Sequence, residues 1–145
     1  MPDLFEKVLL LKSSDIFNEI NTEDLRFVAD ALEEEQFFKG DRIFEKNDRG
    51  DFMYIIINGE IGIELDKKQG DYVATMSSGD CFGEMNLLDD LPRSASAVVL
   101  DDTMVLKLSR AQLRGLIMSC PELGLGILKS LSLKLRETTK RAIKK

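Results

Sequence analysis

The residues with chemistry to offer are gathered in one stretch, residues 82–97, which reads FGEMNLLDDLPRSASA. Gly83 and the carboxylate of Glu84 open it, Asp89-Asp90-Leu91-Pro92 makes a turn, and Arg93 and Ser94 stand just before an apolar, β-branched run. A turn built on Gly83 can direct several backbone N–H groups at one point, and such a nest holds an anion. Arg93 adds a permanent positive charge, and its planar fork suits a phosphate because it donates two parallel hydrogen bonds. Glu84 would be repelled by that anion and needs a target of its own, which a neighbouring sugar hydroxyl provides. The ligand implied is a phosphorylated ribose.

The elements that must position this stretch are marked by punctuation. From Phe37 onward, Gly-Asp pairs at Gly40-Asp41, Gly50-Asp51, Gly70-Asp71 and Gly79-Asp80 cut the chain into short apolar runs such as 42–45 and 52–57. Short strands separated by regular turns predict a β-sandwich, roll or barrel. Residues 54–57 are expected to turn at Asn58-Gly59 in a type I′ hairpin, because Asn-Gly supplies the positive φ values that turn needs. The return strand should place Ile61, Ile63 and Leu65 toward the core and Glu60, Gly62 and Glu64 away from it. Gly40, Gly50 and Gly59 are read as turn residues, as are Asp48 and Asp51, which lack the alternating ligands and closing glutamate of a calcium loop. After the stretch, residues 97–100 and 104–108 read as two strands joined at Asp101-Asp102.

Helices flank the roll. Leu4, Val8 and Leu11 predict a short helix over 4–11, Ser13-Ser14 interrupt it, and a second is expected over 15–20. Asn21 or Thr22 then caps a better helix whose apolar face is Leu25, Val28, Ala29 and Leu32. At the other end, Ser109 with Gln112 forms a capping box that starts a helix running to about Met118. Pro121 suits the first turn of a last helix. On that helix Leu128, Leu131, Leu135, Thr138 and Ala142 form one stripe, which either pairs with a second copy of the chain or packs on the roll.

Composition narrows the function. A chain of 145 residues suits a single domain, residues 1–145, comprising a helical lead-in (1–33), a β-roll (34–108) and C-terminal helices (109–145). Two cysteines without metal spacing and no signal peptide predict a reduced, cytoplasmic protein, and the longest early apolar run, residues 8–11, is far too short to span a membrane. Net charge is −6, and the acidic excess lies outside the basic end that begins at Lys134, which argues against direct nucleic-acid binding. That basic end is either a solvated helix terminus or a contact patch for an acidic partner. There is no histidine, hence neither the usual metal ligand nor the usual general base. No metal and no enzymatic role are expected.

The stretch 82–97 resembles, without a gap, the phosphate-binding cassette of cyclic nucleotide-binding domains, whose usual form is FGE-hydrophobic-Ala-Leu, four loop residues, then Arg-Ala/Ser/Thr-Ala. The resemblance implies an antiparallel β-roll of jelly-roll type with N-terminal helices and two C-terminal helices. It assigns Glu84 to the ribose 2′-OH, Arg93 to the cyclic phosphate with Ser94 beside it in the Arg-Ser-Ala95 triplet, and backbone amides of Gly83, Met85 and Asn86 to the phosphate cradle. Asn86 replaces the family's alanine; because the position acts through its backbone N–H an asparagine should be tolerated there, although its larger side chain could narrow the cradle. Asp90 replaces the usual loop glycine. In register with Arg93 and Pro121, Thr138-Thr139 fall where bacterial catabolite activator proteins carry a Thr-Ser pair that meets the adenine amino group, one hydroxyl from each subunit. cAMP is therefore expected ahead of cGMP, and a homodimer through the last helix stays one of the two readings of its stripe. No aromatic residue follows Phe82, so Leu131, Leu135 or the stem of Arg136 would have to cover the base. The sequence stops soon after this helix, without the helix-turn-helix through which those activators read DNA, so a fragment or a subunit signalling to a separate effector is expected. A ligand-free interaction domain of the same fold is the alternative, and a cyclic nucleotide hydrolase a third reading.

Overall fold

The computed structural model of the chain describes residues 1–65 and 71–143, so Gly70 of the expected Gly70-Asp71 turn and the last two lysines lie outside the described residues. Two compact units are present: a β unit, Leu32–Leu113, and a helical unit formed by Met1–Ala31 and Arg114–Lys145.

The β unit is built on two long antiparallel strands, β3 (Phe52–Glu64) and β6 (Ser96–Ser109). Each carries two short strands, one on either half. On β6 these are β1 (Glu33–Phe37), which pairs with residues 103–107, and β2 (Arg42–Phe44), which pairs with residues 97 and 98. On β3 they are β4 (Ala74–Ser77), paired with residues 60–63, and β5 (Cys81–Phe82), paired with Tyr54 and Ile55. All of these pairings are antiparallel, and the result is the expected β-roll. Tyr54, Ile56, Ile61, Phe82, Ala97, Val99 and Val105 form its core, with Phe37, Phe44, Phe52 and Met76 packed around them. Fully burying one such side chain stabilises by about 1.5–3 kcal/mol.

Three expectations are corrected here. Asn58-Gly59 is not a hairpin: β3 runs through it, with its register against β6 slipping between Ile56 and Ile61. Among the described residues Asn47 is the one non-glycine with positive φ, so Asn58 lacks the geometry of a type I′ turn. Asp101-Asp102 likewise joins no separate strands, because β6 continues across it. The two bends lie opposite each other, and Thr103 ties them: its hydroxyl donates to Asp101 O (2.7 Å) and accepts from the Glu60 N–H (3.1 Å). Beyond the bend, Ile61 is buried as expected, but Leu65 lies past the end of β3 and is exposed, while Glu64 is only 2% exposed. Glu64 is tolerated there because Arg42 Nη2 donates to it at 2.9 Å, and Arg42 also pairs with Glu45. These two carboxylates, Glu45 first, hold the Arg42 guanidinium protonated even more firmly than usual.

In the helical unit, α1 (Leu4–Lys12) starts with a reciprocal capping box between Asp3 and Glu6, and α2 (Thr22–Ala31) is capped by Asn21, whose Oδ1 accepts from the Asp24 N–H at 2.8 Å. Residues 15–20 form consecutive turns instead of a helix: Ser14 is buried and its carbonyl accepts from both Phe17 and Asn18 N–H, which points Ile16, Phe17 and Ile20 inward. Ser109 and Gln112 form the expected capping box ahead of α3 (Arg110–Ser119), with reciprocal bonds of 3.0 and 2.9 Å. The last helix, α4 (Pro121–Ile143), buries Leu123, Ile127 and Ser130, the last accepting from Glu19 N–H at 3.1 Å. Its predicted stripe is a different face, on which Leu128 and Leu135 are exposed. Among the described residues no single helix is long and apolar enough to cross a membrane.

Candidate functional site

The cassette residues form the rim of the β unit between β5 and β6. Gly83 follows β5 directly and takes a left-handed conformation, φ 79°, after which residues Glu84–Leu87 make one turn of 3₁₀ helix. Only glycine enters such a turn without strain. Here it is required twice over, since a Cβ would also lie 2.5 Å from Arg93 Nη1. The loop then returns through Pro92, and the Arg93 backbone is fixed by hydrogen bonds to Asp48 O (2.7 Å) and from Asn47 N–H (2.8 Å). Asp48 is a turn residue as expected, its carboxylate accepting from Glu45 N–H.

The Arg93 side chain is 4% exposed. Nη1 donates to Asn86 Oδ1 (3.0 Å) and Gly83 O (3.4 Å), Nη2 donates to Phe52 O (2.6 Å), and the guanidinium lies 4.0 Å over the Phe44 ring. Nε is buried with no acceptor, and among the described residues no carboxylate forms an ion pair with this side chain. Burial lowers the Arg93 pKa from its ordinary value, with Tyr54, Asp51 and Asp48 opposing that shift and Arg110 adding to it. Tyr54 is shifted upward by its own burial, against the pull of the Arg93 charge. A buried cation held by neutral carbonyls is an expensive arrangement, and an anion is the group that would relieve it. The Phe44 contact offsets part of the cost, about 0.5–2 kcal/mol.

Gly83, Asn86 and Arg93 are thus brought into direct contact. Glu84, at the start of the 3₁₀ turn, is half-buried; Met85 and Ser94 are exposed and Ala95 half-buried. Thr138 and Thr139 belong to the helical unit, on the exposed part of α4, where their hydroxyls donate back to Lys134 O and Leu135 O.

Two participants were not foreseen. Gly50 is not a simple turn residue, since a Cβ there would meet Asn86 Cγ at 2.5 Å and Arg93 Nε at 2.8 Å. Arg110, the first residue of α3, clamps the cassette from below: it donates to Asn86 O, Asp89 O and Gly50 O, and pairs with Asp90 at 2.5 Å. A signal for it was present. A cation in the first turn of a helix opposes the helix dipole, so Arg110 needs partners outside the helix. The Asp90 departure from the usual loop glycine supplies one of them.

With this geometry in view, comparison with known proteins is specific. Residues 34–120 match the sequence profile described as Cyclic nucleotide-binding domain. The cAMP-dependent protein kinase regulatory subunit of Eremothecium gossypii is 33% identical over 72% of this chain, and the Cyclic AMP receptor protein of Thermus thermophilus 30% identical over 88%. The chain spans 22% of the former's length and 60% of the latter's. Among solved structures, the regulatory domain of Toxoplasma gondii PKA co-crystallised with cAMP superposes with a TM-score of 0.70 at 28% identity, covering 92% of this chain and 50% of that one. The profile match over the roll and cassette, and the β-roll that carries them, place this chain in the cyclic nucleotide-binding domain family.

Proposed function

We propose that the β unit is a regulatory module that binds cAMP, with Arg93 on the cyclic phosphate, Ser94 and Ala95 beside it, Glu84 on the ribose 2′-OH, and the backbone of Gly83, Met85 and Asn86 completing the cradle. The observation that carries this reading is the buried Arg93 guanidinium, whose Nε has no acceptor and which, among the described residues, forms no ion pair with a carboxylate. Thr138 and Thr139 are assigned to the adenine, which favours cAMP over cGMP, and binding is coupled to movement of α4. The ligand shifts α4 only by binding one of its positions better than another. Exposed Leu128, Leu135 and Ile143 support pairing of α4 with a second copy, while the effector is a separate protein or domain. The module acts by binding and not by turnover, so AMP appearing on incubation with cAMP would contradict this reading.

The test is a calorimetric titration with cAMP and cGMP of protein first stripped of carried-over nucleotide. Micromolar or tighter binding, stronger for cAMP, is expected. One observation favours the alternative of a ligand-free interaction domain: Asn86 already occupies Arg93 Nη1. Absence of both heat and thermal stabilisation would support that alternative, because a ligand of the folded state raises stability by mass action.

Glu84→Ala provides a test of the sugar assignment. A hydrogen bond to a charged group contributes about 1.5–3 kcal/mol, so cAMP affinity should fall roughly 10- to 100-fold. Affinity for the 2′-deoxy analogue should barely change, and equal losses for the two nucleotides would contradict the assignment.

A further inference from the structure

We propose that the Asn86 side chain is a built-in competitor of the ligand phosphate, a neutral gate that sets the affinity of the site by holding Arg93 in reserve; this rests on the phosphate-binding reading above. At 4% exposure, the Arg93 guanidinium cannot receive an anion unless one of its present neighbours moves aside. Those neighbours differ in how easily they move. Phe52 O and Gly83 O are backbone carbonyls, the first in β3 and the second in the residue joining β5 to the 3₁₀ turn. Phe44 packs against the roll core, and a Cβ added at Gly50 would fall 2.8 Å from Nε, so backbone closes that side. Asn86 Oδ1 is the one hydrogen-bond acceptor of this guanidinium, among the described residues, that is carried on a side chain.

The amide is oriented unambiguously by chemistry. Its oxygen faces the Arg93 donor at 3.0 Å, and its Nδ2 donates to Leu91 O at 2.7 Å. Rotation about the Asn86 side chain would release Nη1 and leave the backbone in place, because Arg110 holds Asn86 O through both Nε and Nη2. The phosphate therefore exchanges one acceptor for another at Nη1. It prevails by its charge, but the net gain is reduced by the amide contact it breaks.

The sign of the expected effect separates a gate from a merely structural residue. Asn86→Ala removes the competitor and should tighten cAMP binding about tenfold in calorimetry, while slightly lowering the melting temperature of the nucleotide-free protein. Asn86→Asp places a carboxylate on Arg93, a stronger competitor, and should weaken binding by about 100-fold or more. Binding by the alanine variant with wild-type protein silent would also support the gate, as the case in which the amide shuts the site. Unchanged or weaker binding by Asn86→Ala, or wild-type affinity in Asn86→Asp, overturns the gate while leaving the phosphate site standing. No binding by the wild type or by either variant overturns both.

Discussion

Arg93→Ala is expected to lower cAMP affinity by roughly 30- to several-thousand-fold, the equivalent of the 2–5 kcal/mol typical of truncating one partner of a buried charge pair. The expectation follows from what surrounds the side chain. Among the described residues its hydrogen-bond acceptors are three neutral oxygens and its guanidinium lies over the Phe44 ring, so the phosphate would supply the directly bonded counter-charge that these contacts do not. Two opposing effects act on the nucleotide-free protein. Truncation forfeits the ring contact and leaves Phe52 O and Gly83 O without that donor, but it also removes a buried uncompensated cation. The melting temperature without nucleotide should therefore stay near that of the wild type, and a lost titration signal cannot then be ascribed to unfolding. Addition of cAMP at about 100 times its dissociation constant should stabilise the wild type by about 2.7 kcal/mol and the variant by almost nothing. Arg93→Lys keeps a charge but loses the planar fork and should recover only part of the affinity. Wild-type affinity in Arg93→Ala would remove the basis of the functional proposal.

The cassette was legible because its chemistry is local in sequence. Gly83, Asn86 and Arg93 lie within eleven consecutive residues, and the turn that joins them is written in Gly83 and Pro92. The capping box at Ser109 and the start of α4 at Pro121 were readable for the same reason. What escaped was non-local. Gly50 is required to be small by Asn86 and Arg93, some forty residues away, and nothing in its neighbours Arg49 and Asp51 records that. Glu64 follows the alternation that sends it away from the core, yet Arg42 from another strand covers it. For Asn86 the sequence speaks only to its backbone amide and the size of its side chain. Its consequence lies in where its two amide atoms point, which depends on Arg93 and Leu91 together.

Asn58-Gly59 shows how a strong local signal can be right about the residue and wrong about the reason, and Gly59→Ala measures the difference. Gly59 has φ 116°, and a Cβ on it would lie 2.2 Å from Thr103 Oγ1, 2.6 Å from Thr103 Cα and 2.7 Å from Asp102 O. Thr103 is fully buried and its hydroxyl is held by Asp101 O and Glu60 N–H, so the opposing strand has little room to recede. Backbone strain of about 1–3 kcal/mol and overpacking of about 1–3 kcal/mol should then add, giving a loss of roughly 2–6 kcal/mol in urea unfolding. That is a large share of the roughly 5–15 kcal/mol that stabilises a typical domain. At a solvent-exposed hairpin tip only the conformational part would be felt, about 1–2 kcal/mol. The two cases separate further in a double-mutant cycle with Thr103→Ala, which removes the nearest clashing atom. A cross-strand contact predicts that Gly59→Ala costs at least 1 kcal/mol less in the Thr103→Ala background than in the wild type. Strict additivity would mean that β3 turns at Gly59 instead of passing beneath Thr103.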